Sequence, residues 1–215
     1  MAIVGGLLAV TVGVVIMLAQ NAQTIIPYQD AGITAAWIPP TVKRWEQPIE
    51  EMSKKYNINA NLVAILMTME SGGDPNAKSE VGATGLMQIM PTTAADIAKQ
   101  HLKEPVQKYE LEDPKTNIEF GVAYLAMLRD EFGSMQHAPD FTRTVELVAA
   151  GYNGGGGTAN ALEKGEGLRD PQPVIYSRDA FNMWRERVSA KSPTFDRWKE
   201  RGGDKLLADA AKFQK

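Results

Sequence analysis

One carboxylate in this chain stands where a purely structural glutamate would gain little. Glu70 ends the apolar stretch Leu62-Val63-Ala64-Ile65-Leu66-Met67-Thr68-Met69 and is followed at once by Ser71-Gly72-Gly73-Asp74-Pro75-Asn76. Apolar side chains at 62, 63, 65, 66 and 69 have the period of a buried helix, which puts Glu70 at its C-terminal end. The helix dipole disfavours negative charge there, and burial disfavours it further. Both raise a carboxyl pKa, and a raised pKa suits a general acid. A lone glutamate of this kind would read as an exposed helix end. Its neighbours argue for chemistry.

About a dozen residues on comes Val81-Gly82-Ala83-Thr84-Gly85-Leu86-Met87-Gln88-Ile89-Met90-Pro91. Its glycines permit tight turns or close approach to a ligand, and Gln88 carries donors and acceptors into an apolar run. Further along, Ala149-Ala150-Gly151-Tyr152-Asn153 runs into Gly154-Gly155-Gly156-Gly157, so a second apolar helix delivers a tyrosine and an asparagine into a glycine loop. Pro173-Val174-Ile175-Tyr176 adds a later tyrosine. Each has a bland explanation alone: a core Gln, a capping Asn, a core Tyr.

In this order the motifs resemble lytic transglycosylases of the soluble lytic transglycosylase type, which cleave peptidoglycan on a lysozyme-like fold. Glu70-Ser71 matches the family's Glu-Ser motif, and Gly85 through Ile89 its Gly-Leu-Met-Gln-Ile motif. Gly151-Tyr152-Asn153 matches its Ala-Tyr-Asn motif, and Tyr176 its late tyrosine. Asn117-Ile118-Glu119-Phe120-Gly121-Val122-Ala123-Tyr124-Leu125 is similar to its Asn-Ile-x-x-Gly-x-x-Tyr-Leu helix. The resemblance runs from roughly Trp45 to Arg187. Three positions depart from it: Gly151 replaces the usual alanine, Asp74 stands where Asn is commoner, and Glu80 adds an acid beside Ser79.

The resemblance implies a single catalytic carboxylate, Glu70. It would protonate the glycosidic oxygen between N-acetylmuramic acid and N-acetylglucosamine. It would then take a proton from the muramoyl C6 hydroxyl, which closes a 1,6-anhydro ring without consuming water. Ser79 and Gln88 would bind polar sugar substituents, and Met90 and Tyr152 would face the sugar rings. Asn153 would orient a sugar group or brace the loop, and Tyr176 would hold Glu70. Ser71 is expected to cap the turn. A hydrolytic muramidase using Asp74 or Glu80 as second carboxylate is the same-fold alternative. A non-catalytic glycan-binding component of a secretion system or phage particle is the alternative of another class.

The elements that position these residues read as mainly α, with no period-2 strand series. Helices are expected over Thr41–Tyr56, Asn61–Met69, Pro91–Gln100, Asp113-Pro114 to Phe132, Phe141–Tyr152 and Pro173–Val188. Four regions follow: a hydrophobic anchor or signal segment at 1–22, a proline-punctuated tether at 23–44, the catalytic domain at 45–189, and a charged tail at 190–215. That tail reads as a solvated appendage or a docking element.

Composition narrows the partners. The net charge of −3 leaves no basic footprint for nucleic acid. The absence of cysteine excludes disulfides, thiolate metal sites and a lipid-modified cysteine anchor. His101 and His137 lack metal-ligand spacing, so no metal or cofactor is implied. Ala2–Ala19 holds no charge, and the first charged side chain is Asp30. That length just suffices for a membrane span of about 17 residues or more. It exceeds the usual apolar core of a cleaved signal, ~7–15 residues, and lacks a basic start, so an uncleaved anchor is favoured over a signal peptide. Peptidoglycan lies outside the inner membrane, so the resemblance implies a catalytic domain on the periplasmic side. Secretion to the periplasm or packaging in a virion are the alternatives.

Overall fold

The computed structural model describes residues 32–102, 110–132 and 143–213. The proposed anchor at 1–22, the first part of the tether and His137 lie outside the described residues. Among the described residues, no helix is long and apolar enough to cross a membrane.

The described chain is helical, with no strand; only isolated bridges join Lys78 to Thr84 and Thr84 to Ile89. A short α1 (Pro40–Lys43) is separated at Trp45 from α2 (Glu46–Tyr56), which ends on left-handed Asn57. α3 (Ala60–Ser71) starts at Asn59, whose side chain accepts from the Asn61 amide, and stops at Gly72 with φ of 65°. α4 (Pro91–Ile97) has proline in its first turn and widens into a π-helical turn over Ala98–Leu102. α5 (Pro114–Phe132) opens where expected, with Asp113 Oδ2 accepting from the Thr116 amide at 2.7 Å. α6 (Thr144–Gly154), α7 (Gly156–Glu163) and α8 (Gln172–Glu186) follow. α9 (Pro193–Trp198), a kinked turn over Lys199–Gly203, and α10 (Asp204–Ala211) complete the order.

α3 is the central helix. Every residue from Ala60 to Met69 is buried, so it is apolar on all faces rather than along one stripe. α1, α2, α8 and α10 pack around it, while α6 lies against α5, α7 and α8. Glu70 is the first charged residue of this helix and the first that is only partly buried.

Two regional boundaries need correction. The tether expected over 23–44 is, from Gly32 onward, part of the domain: Ile33, Ala35, Ile38 and Val42 are buried. The amides of Thr34 and Ala35 both donate to Asn61 Oδ1 at 2.9 Å. An extended segment wrapping a core has no helical period, so its apolar residues give no pattern to read. The tail expected over 190–215 also folds back. The Glu186 carboxylate accepts from the hydroxyls of Ser192 and Thr194 and from the Thr194 amide. Phe195 stacks on Trp198 and packs tilted against Trp37, with ring centroids 5.7 and 5.5 Å away. A few apolar anchors in a charge-rich stretch suffice to dock it.

Candidate active site

The side chains of Asn117, Ser71 and Tyr152 bind the Gly85–Ile89 loop, and Asn117 makes the most bonds. Asn117, on α5, accepts from the Met87 amide at 2.7 Å and donates to the carbonyls of Thr84 and Leu111, both at 2.8 Å. Gly85 has φ of 79°, and a Cβ there would fall 2.4 Å from Asn117 Nδ2. Gly121, one turn further along α5, leaves room for Met87: a Cβ would meet that side chain at 2.6 Å. Tyr124 completes the stripe Asn117, Gly121, Tyr124 on one helix face.

This loop forms one wall of a cleft of about 410 Å³. Glu70, Ser79, Gln88, Met90, Tyr152 and Asn153 all line it. Tyr176 stands behind Glu70, buried on α8, and donates its hydroxyl to Glu70 Oε1 at 2.6 Å. Residues 106 positions apart in the chain thus meet at one carboxyl. Burial raises the Glu70 pKa to about 7, and the Tyr176 hydrogen bond opposes only part of that rise. Burial and the nearby Glu70 push the phenols of Tyr176 and Tyr152 well above their ordinary range, so both remain neutral donors.

Several of these side chains have their polar atoms engaged within the protein. Gln88, in a left-handed conformation at φ of 47°, donates from Nε2 to the carbonyls of Ala77 at 3.0 Å and Gly85 at 2.9 Å. Both partners are acceptors, so the amide orientation is settled and Oε1 is the atom left to accept. Ser79 Oγ accepts from the Ala83 amide at 2.9 Å, closing the tight turn that carries Val81 and Gly82. The Tyr152 hydroxyl donates to the Met87 carbonyl at 2.8 Å, which leaves its ring, not its oxygen, as the cleft surface. Ser71 braces the turn as expected, donating to the Leu86 carbonyl at 2.7 Å and accepting from the Gly73 amide at 3.1 Å.

Six residues of the lining are not among the site residues expected from the sequence: Val81, Ala83, Ile89, Thr93, Tyr124 and Gly155. Tyr124 packs on Tyr152 with centroids 5.3 Å apart and donates to the Gly151 carbonyl at 3.1 Å. Its position in the Asn117 stripe was the available signal. Gly151 is explained by the same packing, since a Cβ would come 2.7 Å from Leu128 Cδ2 on α5. Neither alternative second carboxylate is in the cleft lining. Asp74 is buried and accepts from the Asn76 amide at 2.9 Å, and Glu80 is exposed. Among the described residues, Glu70 is the one carboxylate that lines the cleft.

The arrangement presents one carboxyl whose pKa, raised to about 7, lets it give a proton and then take one. Tyr176→Phe should leave that carboxyl without its oriented donor. The hydroxyl favours the charged form, so its removal should raise the Glu70 pKa further. An alkaline limb of the rate profile shifted upward, with turnover reduced roughly tenfold, is the expected result; one hydrogen bond to a charged group is worth ~1.5–3 kcal/mol.

The wider comparisons agree with the geometry. A sequence model described as the transglycosylase SLT domain matches residues 47–174. Membrane-bound lytic murein transglycosylase E of Buchnera aphidicola subsp. Acyrthosiphon pisum is 37% identical over 114 residues, 52% of this chain and 51% of that protein. Membrane-bound lytic murein transglycosylase C of Actinobacillus pleuropneumoniae serotype 5b is 34% identical over 140 residues, 64% of this chain and 38% of that protein. The chain therefore spans about half or less of the length of these relatives. An inactive mutant of the lytic transglycosylase Slt from Pseudomonas aeruginosa superposes with a TM-score of 0.50 at 24% identity, covering 78% of this chain and 25% of that one. That likeness is one of fold. With the SLT match spanning more than half of its residues, the chain belongs to the transglycosylase SLT domain family.

Proposed function

We propose that this protein is a peptidoglycan lytic transglycosylase that cleaves the β-1,4 bond between N-acetylmuramic acid and N-acetylglucosamine. The observation that carries the reading is Glu70: one cleft carboxyl, raised to about 7 by burial and oriented by Tyr176. Inverting and retaining hydrolysis both need two carboxylates flanking the bond. A single group suffices when the substrate's own C6 hydroxyl is the nucleophile. Glu70 gives its proton to the leaving oxygen, and the carboxylate so formed accepts the C6 proton as the 1,6-anhydro ring closes.

The remaining cleft residues bind the glycan in this reading. Gln88 Oε1 accepts from a sugar hydroxyl or N-acetyl N–H, and the rings of Tyr152 and Tyr124 with Met90 cover sugar faces. Asn153, exposed in the last turn of α6 where Gly155 alone separates that helix from α7, reaches a polar substituent. Ser79 acts mainly by holding its turn. The apolar segment at 2–19 serves as the membrane anchor, with the domain on the wall side for local remodelling or penetration of the wall. The likeness to membrane-bound lytic murein transglycosylases supports membrane association.

Digestion of purified peptidoglycan tests the reaction. Released muropeptides should end in 1,6-anhydromuramoyl residues and be one water lighter than lysozyme products by mass. Products ending only in reducing muramic acid would reject the proposal in favour of a muramidase.

A further inference from the structure

The turn after Glu70 is closed by chain from outside the family match. Gly72, with φ of 65°, lies so near α10 that a Cβ would fall 2.9 Å from the Leu206 backbone. Gly73, with φ of 90°, lies against α1, where a Cβ would fall 2.3 Å from the Thr41 carbonyl oxygen. In both cases the obstacle is helix backbone, so no flexible side chain could move aside. The Gly73 carbonyl accepts from Arg44 Nη2 at 2.7 Å and from Trp45 Nε1 at 3.0 Å. The other arm of the same guanidinium, Nη1, donates to the Phe213 carbonyl just beyond α10 at 2.8 Å. Arg44 also lies over the Trp45 ring, 5.0 Å from its centroid.

The matched region is 47–174, so Arg44 and Trp45 precede it and α10 and Phe213 follow it. Two segments distant in sequence therefore converge on the two glycines that end the helix bearing Glu70. Helix ends are where hydrogen bonding is incomplete and fraying begins. A frayed end of α3 would admit water to a carboxyl whose chemistry depends on burial.

We propose that residues 40–45 and 204–213 form a two-sided clamp on the Gly72–Gly73 turn, with Arg44 as the positioning residue that keeps Glu70 at its working depth. The clamp rests on the reading of Glu70 as the acid/base group. Arg44 does not touch the cleft; it acts through the turn. Among the described residues, the groups bearing on Glu70 are Tyr176 of α8 and Tyr152 of α6, whereas the Arg44 charge bears on Asp74. The direction of the effect follows. Loss of a nearby positive charge would raise the Glu70 pKa, whereas loss of burial lowers it.

Carbon-13 NMR of the glutamate side-chain carboxyls reads this directly, the Glu70 signal being assigned by its disappearance in Glu70→Gln. In folded Arg44→Ala, Glu70 should titrate about one pH unit below its wild-type value. Arg44→Lys, which keeps the charge and one donor to Gly73, should fall between the two. It also serves as the test if the alanine variant does not fold. On peptidoglycan, Arg44→Ala should lose roughly tenfold in kcat with KM little changed, as expected when positioning rather than binding is lost. An unchanged or raised Glu70 titration in the folded variant would overturn the clamp. Wild-type protein that leaves peptidoglycan intact would instead overturn the proposed function, and the titration would still decide the clamp.

Discussion

Glu70→Gln is expected to reduce glycan cleavage about 10⁴-fold or more while leaving the fold and glycan binding in place. Removing a general acid alone costs roughly 10²–10⁴-fold, and here one group serves both proton transfers. The amide keeps an oxygen that can accept from the Tyr176 hydroxyl, so the local packing survives. Residual activity within tenfold of wild type would reject the assignment. The pH dependence carries a second signature. With its pKa at about 7, Glu70 holds the needed proton below that pH and loses it above, so turnover should fall on the alkaline side. The carboxylate required for the second step is produced by the first, so this group imposes no acidic limb. Stability should follow the same group. Its folded pKa is raised from 4.5 to about 7, so folding favours the protonated form. The resulting stability is full below 4.5 and is lost as the pH rises through about 7. Glu70→Gln, which cannot ionise, should therefore melt progressively above wild type as the pH is raised through that window. Calorimetry across it checks the sign.

Asn117→Ala is expected to be the most damaging substitution for stability away from the cleft. The side chain is 1% exposed and satisfies the Met87 amide and the carbonyls of Thr84 and Leu111. Its removal leaves three buried or nearly buried backbone groups to find other partners, and each unsatisfied group costs ~1–3 kcal/mol. The loss in urea denaturation should reach about 3–5 kcal/mol, allowing for partial relaxation. Asn117→Asp should not rescue it. The aspartate keeps an acceptor for Met87 but sets a second oxygen against two carbonyls. Catalysis should fail with stability, because Gln88 and Met90 ride on the loop that Asn117 holds. A loss under about 1 kcal/mol would show that the Ser71 and Tyr152 hydrogen bonds and the glycine packing hold the loop without it.

Gln88 and Ser79 show how far residue type alone can be read. The resemblance implies both as sugar-binding residues, and both line the cleft. Yet the Gln88 amide nitrogen and the Ser79 hydroxyl are already engaged by backbone groups. A sequence shows that a polar atom exists, not how its bonding capacity is divided between protein and ligand. Tyr124 was read as part of a structural helix, although its ring reaches the cleft beside Tyr152. Which face of α5 meets α6 depends on packing between helices, and no local pattern states it.

The chain's own order of residues carried the resemblance that implies the chemistry: Glu70 after an apolar helix, the Gly85–Ile89 motif, Tyr152-Asn153 before glycines, and Tyr176. It also determined the helix starts that rest on local rules, such as Asp113-Pro114 and Pro91, because capping and proline act within one turn. The tertiary structure alone decided what the flanks do. Residues 32–44 and 190–213 look like tether and tail in the sequence because their apolar anchors are few and unperiodic. Those anchors act only when Trp37 meets Phe195 and Arg44 meets Phe213 across more than 150 residues. Burial of Glu70 is likewise a property of the assembled fold. Its raised pKa comes from desolvation in the assembled core, where Tyr176, 106 positions away, also meets it.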